Sequence, residues 1–210
     1  MAGLYDALDA KYNKGKCTLL LACDDVSYSF AMCGLNILGR ERYGVLRLDT
    51  DEDFSLKKIP EIMGLEYNKV CADIKNLRYG NIMIIGNHNI TSIVKVLLVN
   101  FINYYWPELI EYDGFVKSAH KTNKFINVFP IPICSIFKKN NTKTIKFYNK
   151  NQIMEWLWDY NGTTDFQNDI FALLLDWCAN NDWELKNLSL GEYTAKEAKS
   201  IFSDYTKSRI

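Results

Sequence analysis

The chain has 210 residues, 48% of them hydrophobic and 14% aromatic, and its formal net charge is zero. That is enough to bury one sizeable core, or one core and a small appendage. It excludes a disordered or repeat protein, since there is no Pro/Gly/Ser linker, low-complexity tract or repeat of solenoid period.

In chain order, the opening MAGLYDALDAKYNK lacks an apolar leader core and carries acids, so no secretory leader is expected. The unbroken apolar run Cys17–Ala22 follows a Gly-Lys turn and reads as a strand. Phe30, Cys33 and Ile37 then recur at helical period until Gly39 stops the helix. Tyr43–Leu48 is a second strand, and SLKKIPEIMGL a short helix that Pro60 bounds or kinks. Asn81–Gly86 is a third strand. Asn87, His88 and Asn89 follow it as a loop, and from Thr91 a long helix runs to Pro107. Its VKVLLVNFINYYW is the longest apolar run, yet Lys95 and two asparagines interrupt it and it is too short to span a bilayer, so no membrane partner is expected. Strands alternating with helices predict an α/β fold, a mainly parallel sheet with helices on both faces.

After Pro107 the rhythm changes. INVFPIPICSIFKK and TIKFYN read as two strands of a hairpin joined at NNT. NQIMEWLWDY and DIFALLLDWCANN read as helices, WELKNLSL as a strand. The last helix opens at Thr194, with Glu197 three residues on as a capping box. The expected organisation is one domain over 1–210: an α/β core to 107, then an extension from 108 holding the hairpin, an extra helix within 162–182 and a closing strand and helix. The tryptophans fall mostly at amphipathic spacing and read as core.

Six scattered cysteines form no CxxC pair, which excludes a zinc ribbon or thioredoxin motif. They read as small core residues of a reducing, intracellular compartment, nuclear or cytoplasmic. Charge is segregated. Gly114–Met154 holds eight lysines (Lys117, Lys121, Lys124, Lys138, Lys139, Lys143, Lys146 and Lys150) and no acid, which leaves the rest of a neutral chain acidic by the same amount. Such a field favours oriented binding to a polyanion or an acidic partner. Lys138, Lys139, Lys143, Lys146 and Lys150 lie on or beside the hairpin, interleaved with Phe147 and Tyr148, as nucleic-acid faces often are. A solvated, solubilising hairpin is the competing reading. His120 reads as a surface residue. The acidic cluster Asp49–Asp53 reads as a solvent-facing loop or as a site for a basic partner.

The tip of the third strand is where α/β proteins place their chemistry, yet Asn87, His88 and Asn89 include no carboxylate. Cys23, at the tip of the first strand, reads either as a thiol activated by His88 or as an inert small residue.

The strings GLYDALDAKYNKGKCTLLLA, GLNILGRERYGV, LRYGNIMII, LLVNFINYYWPELI and WELKNLSLGEYTAKEAKSIFSDYTKSRI resemble, in order, the TOPRIM region of eukaryotic-type type IIA DNA topoisomerases. The resemblance spans nearly the whole chain. It implies a TOPRIM-like fold and, where the motifs are intact, Mg²⁺-dependent DNA cleavage within an ATP-dependent topoisomerase. The motifs are altered. Where the family has Glu-Gly-Asp-Ser, with the Glu as metal ligand and acid/base, this chain has Cys23, Asp24, Asp25 and Val26. Where it has Asp-x-Asp-x-Asp-Gly, this chain has Asn87, His88, Asn89, Ile90 and Thr91. The family's basic Arg-Gly-Lys stretch is shortened and holds Asp49–Asp53, and its Lys-Gly-Leu-Gly reads Ser189, Leu190, Gly191.

The resemblance therefore implies no catalytic residue among Cys23, Asp24, Asp25, Asn87, His88, Asn89 and Thr91, and no cofactor. Asp24 and Asp25 are the remaining candidates for one weakly held ion, since Mg²⁺ usually requires one or two carboxylates. Three functions stand open: a non-catalytic TOPRIM-like module binding DNA non-specifically or a protein partner such as other topoisomerase-like chains; a Mg²⁺-dependent, DNA-cleaving subunit of a split topoisomerase; and a structural or assembly protein.

Overall fold

The computed structural model describes residues 3–12, 14–48, 56–71, 74–111, 126–138, 143–161, 169–187 and 194–207. Asp49–Asp53, Lys117, His120, Lys121, Lys124, Lys139 and Ser189–Gly191 lie outside them.

Strands β1 (Leu4–Tyr5), β2 (Thr18–Ala22), β3 (Tyr43–Arg47), β4 (Asn81–Gly86) and β5 (Ile126–Pro130) form one sheet in the order β1-β3-β2-β4-β5. β2 pairs in parallel with both β3 and β4, with Leu20 opposite Val45 on one side and Met83 on the other. β1 runs antiparallel to β3 at the edge. The three expected core strands are thus neighbours, and the fold class is α/β with a mostly parallel sheet. Leu19, Leu20 and Leu21 are all fully buried, which requires cover on both faces because successive side chains alternate. Leu19, Leu21, Ile82 and Ile84 share a core with Val94, Leu98 and Ile102 of α3 (His88–Tyr105). Helix α1 (Asp25–Leu38) packs on β2, β3 and β4. Its end is set by Gly39, whose φ of 96° suits glycine, and whose N–H donates to Leu35 O.

α2 (Lys58–Met63) carries Pro60 in its first turn, where a missing N–H costs nothing. α3 begins a turn earlier than the sequence implied: Asn87 stands before it, at a position that favours asparagine, so His88 and Asn89 are helical and not loop. Pro107 ends α3 and also opens α4 (Pro107–Glu111), because its fixed φ suits a first helical position.

The run expected as one strand, INVFPIPICSIFKK, is two. Pro130 and Pro132 cannot donate to a ladder, and the chain breaks there into β5 and β6 (Cys134–Lys138), which belong to different sheets. The second sheet is β7-β6-β8, with β7 (Thr144–Phe147) and β8 (Trp183–Asn187) both antiparallel to β6. β6 and β7 form the expected hairpin. α5 (Lys150–Asn161) and α6 (Ile170–Asn180) cover one face, burying Cys134, Ile136, Phe147, Ile153, Leu157, Leu174 and Trp177 together. Trp156 meets Trp177 edge-on at 4.4 Å, while Trp158 is exposed. The apolar stripe of α6 is therefore core.

The chain divides into two compact units, 1–86 with 90–129 and 193–210, and 87–89 with 130–192. The closing helix α7 (Ala195–Lys207) belongs to the first unit and packs on α1. Phe202 stacks on Phe129 at 4.7 Å and meets Phe30 at 4.8 Å. Thr194 caps α7 as expected: its N–H donates to Glu197 Oε2 at 2.9 Å, and Glu197 N–H donates to Thr194 Oγ1 at 3.3 Å. Among the described residues no helix is long and apolar enough to cross a membrane, and none of the six cysteines is in a disulfide.

Candidate functional site

β2 and β4 run in parallel with Ala22 opposite Ile85, so both chains leave the sheet at the same carboxyl edge. Cys23 continues the ladder, its N–H donating to Ile85 O at 3.0 Å. A side chain on Gly86 would lie 3.2 Å from Cys23 Sγ and 3.2 Å from Thr91 Cγ2. Cys23 is 2% exposed. Burial, and secondarily the charge of Asp24, push its thiol up to about 12. Both influences act against the low pKa of a reactive thiolate.

Each described acid at the ends of β2 and β4 already has a structural task. Asp24 is the N-cap of α1: its carboxylate accepts from Ser27 N at 2.7 Å and from Ser27 Oγ at 2.5 Å. Asp25, in the first turn of α1, pairs with Arg47 Nε at 2.9 Å and is 72% exposed, so solvent screens that pair. Among the described residues, no three His, Cys, Asp or Glu side chains converge on a point fit for a metal ion.

The other strand tip lines a cavity of about 540 Å³, and every described residue lining it belongs to the second unit. Asn87, His88 and Asn89 contribute from the start of α3. Tyr148, Asn149, Lys150 and Asn151 contribute from the start of α5, and Ile133 and Phe171 complete the wall. Among the described residues that line it there is no carboxylate. The start of α5 is built locally: Asn149 Oδ1 accepts from Gln152 N–H at 2.9 Å, and Gln152 Oε1 accepts from Tyr148 N–H at 2.7 Å. Lys150 Nζ sits 5.9 Å from the centre of the Phe171 ring, within cation–π range. Thr91 is fully buried and does not line the cavity; nor do Cys23, Asp24 and Asp25.

The candidate lysines scatter. Lys138 ends β6 opposite Trp183, on the face of the small sheet that carries Ile136. Lys146 lies opposite Ser135 on the other face. Lys143 is exposed just before β7, and Lys150 opens α5. β7 ends at Phe147, so Tyr148 lies beyond the strand that carries Lys146 and lines the cavity. Sequence reasoning missed Lys186, which β8 places across Ser135 from Lys146, because only strand pairing between positions 51 apart in the chain shows it. It also missed Asn149 and Asn151, although an asparagine before a helix is a readable capping signal.

No family model matches the chain. It is 34% identical over 98% of its length to DNA topoisomerase 2 of Acanthamoeba polyphaga mimivirus, of which it covers 18%. It is 32% identical over 99% of its length to DNA topoisomerase 2-alpha of Gallus gallus, and 31% to that of Homo sapiens, covering 13% of each. Among solved structures it is similar to the Plasmodium falciparum topoisomerase II DNA-binding, cleavage and re-ligation domain, with a TM-score of 0.67, 28% identity, 98% of this chain covered and 26% of that one. The chain thus spans under a fifth of the curated relatives it matches.

Proposed function

We propose that this chain, homologous over nearly all its length to one region of DNA topoisomerase 2, is a non-catalytic module that binds DNA or a protein partner. One observation carries the reading. Among the described residues, the two acids at the carboxyl edge are both committed, Asp24 to capping α1 and Asp25 to Arg47, while Cys23, Asn87, Asn89 and Thr91 offer no carboxylate. Magnesium takes hard oxygen ligands and usually one or two carboxylates. The donors here are a buried thiol, amides and a buried hydroxyl, so the residues do not fit the ion, and no step is routed through it. The disulfide-free cysteines support a reducing, intracellular compartment. The acid-free lysine segment supports polyanion binding.

One other reading is consistent with the homology, a subunit that cleaves DNA together with other chains. Cleavage of supercoiled DNA with a candidate tyrosine-bearing chain and Mg²⁺ separates the two: no cleavage is expected, and Mg²⁺-dependent cleavage overturns the proposal. A second arm restores the acids. The triple variant Cys23→Glu, Asn87→Asp, Asn89→Asp should be less stable than the parent in EDTA, and Mg²⁺ should raise its melting temperature, because a ligand that binds only the folded state stabilises it. The parent should show no Mg²⁺-dependent rise, and micromolar affinity in the parent sinks the reading. A purely structural role would show neither a salt-dependent DNA shift nor a partner.

A further inference from the structure

We propose that the outward face of α3 pairs with the same face of a second copy of this chain. The inference goes beyond the reading above and does not depend on it, since it needs neither DNA nor a metal ion.

α3 is apolar on two opposite sides. Val94, Leu98 and Ile102 are buried in the core of the first unit. Ile93, Val96, Leu97 and Tyr104 recur at helical spacing on the other side, and they are 61%, 59%, 43% and 79% exposed. A helix at a protein surface ordinarily carries its charges on that outer side, and one that is apolar all round belongs in an interior. Among the 18 residues of α3, Lys95 is the only lysine, arginine, aspartate or glutamate. It stands two positions from Ile93 and one from Val96, so it lies on the flank and not on the stripe. A contiguous exposed apolar patch of this kind marks an interaction surface.

The stripe also has a held anchor. The Tyr104 ring meets Tyr105 edge-on at 4.7 Å. Tyr105 in turn meets Tyr67 at 5.0 Å, Phe101 at 5.1 Å and Trp106 at 5.6 Å, and Trp106 is fully buried. The most exposed ring of the stripe is therefore tied to the core through its neighbour, which limits the side-chain entropy lost on docking. Preorganised tyrosines are frequent interface anchors.

The chemistry of the face selects its occupant. A nucleic acid or a charged peptide needs opposite charge, which the stripe lacks. A lipid surface favours a helix with lysines and arginines beside its apolar face, and α3 has one lysine and no arginine. A second copy brings a face that is equally apolar, equally uncharged and of equal length, so a two-fold pairing sets no like charges against each other. The area also fits. The four side chains present roughly 500 Å² per copy, so pairing removes roughly 1,000 Å² from water, the lower bound for a specific interface. Ser92 and Asn103, both exposed, supply a polar rim. Asn100, in the middle of the stripe, favours one register, as a single asparagine does between paired helices. An interface of this size gives a reversible dimer of micromolar strength.

The test is sedimentation of the full chain in EDTA from about 1 to 300 µM, a range that brackets micromolar association. The mass should rise with concentration from one chain to two. Val96 lies within one turn of the middle of the stripe, so Val96→Lys and Val96→Glu should each weaken self-association at least tenfold. Both new residues are better helix formers than valine, and an unchanged melting temperature checks that the fold is intact. Mixing the two variants should restore the dimer, because opposite charges then meet across the two-fold axis. Tyr104→Ala should weaken the dimer about tenfold, the loss of one anchor. Leu175→Lys, exposed on α6 in the second unit, should change nothing. A single-chain mass across the whole range, association that Val96→Lys leaves unaltered, or a mixture that stays monomeric overturns the inference. So does a monomeric parent whose stripe, tested with Val96→Lys, instead binds a DNA topoisomerase 2 chain or phospholipid vesicles. Mg²⁺-dependent DNA cleavage would overturn the non-catalytic reading and leave this one standing, so the two fail separately.

Discussion

Cys23 shows how burial and a neighbouring charge act together on one side chain. Its thiol is held at about 12 by burial and by Asp24, against an ordinary value of 9.0. In the folded chain it should resist alkylation across pH 7–9 and react only on unfolding, as mass spectrometry with and without urea would show. Modification of Cys23 in the native state within minutes would contradict this. The sign for stability follows from the same shift. Below pH 9 the thiol is neutral in both folded and unfolded chains, and its contribution is fully present. Above pH 9 the unfolded chain ionises first, so stability falls as the pH climbs toward 12. Cys134, pushed to about 12, and Cys178, pushed to about 11, act in the same direction. The urea midpoint should therefore be lower at pH 10 than at pH 8.

Among the elements, the closing helix is the most sensitive to a single atom. A Cβ on Gly34 of α1 would stand 2.2 Å from Phe202 Cε2. Phe202 is fully buried and flanked by Phe30 and Phe129, so it has no room to swing aside. Gly34→Ala would gain up to about 1 kcal/mol of helix propensity, but overpacking of this kind costs about 1–3 kcal/mol. We expect a net loss, read as a lower urea midpoint, with Gly34→Ala in a Phe202→Leu background recovering part of it. An unchanged midpoint would mean that α7 docks less tightly than the structure places it. The elements were also where the sequence was most readable. Cys17–Ala22, Tyr43–Leu48 and Asn81–Gly86 stood out because mainly apolar runs of strand length have few other uses, and Thr194 with Glu197 because a capping box is local. The early start of α3 and the split between β5 and β6 were not readable to the same degree. Asn87 serves equally in a loop or a cap, and paired prolines mark a break without saying that the two halves join different sheets.

For the molecule as a whole, the segregated charge is the property with the largest expected consequence. If the lysine segment binds DNA, binding should be independent of sequence and fall with salt at about 0.9 log units per log unit of salt for each phosphate contacted. Replacing Lys138, Lys139, Lys143 and Lys146 by glutamine was expected from the sequence to flatten the slope by up to about 4 units. The register lowers that figure. Lys138 and Lys146 lie on opposite faces of the small sheet, so one duplex cannot lie against both, and a change of about 2–3 units is now expected. The fold should survive, because exposed charges contribute little to stability. Neutralising Asp49, Asp51, Glu52 and Asp53 should strengthen binding. Absence of any DNA or RNA shift at low salt would leave the lysines a solubilising surface.

By itself the sequence determined the class of fold, the order of its strands along the chain, the relationship to DNA topoisomerase 2 and the absence of carboxylates at Cys23, Asn87, Asn89 and Thr91. These are matters of residue identity and local period, which the linear order carries. Only the tertiary structure decided that Asp24 and Asp25 are already occupied, that Lys186 stands across Ser135 from Lys146, and that the starts of α3 and α5, some sixty residues apart along the chain, line one cavity. Each of those depends on strand register or on the convergence of distant helices, and side chains brought together by pairing across long loops leave no periodic mark in the chain that encodes them.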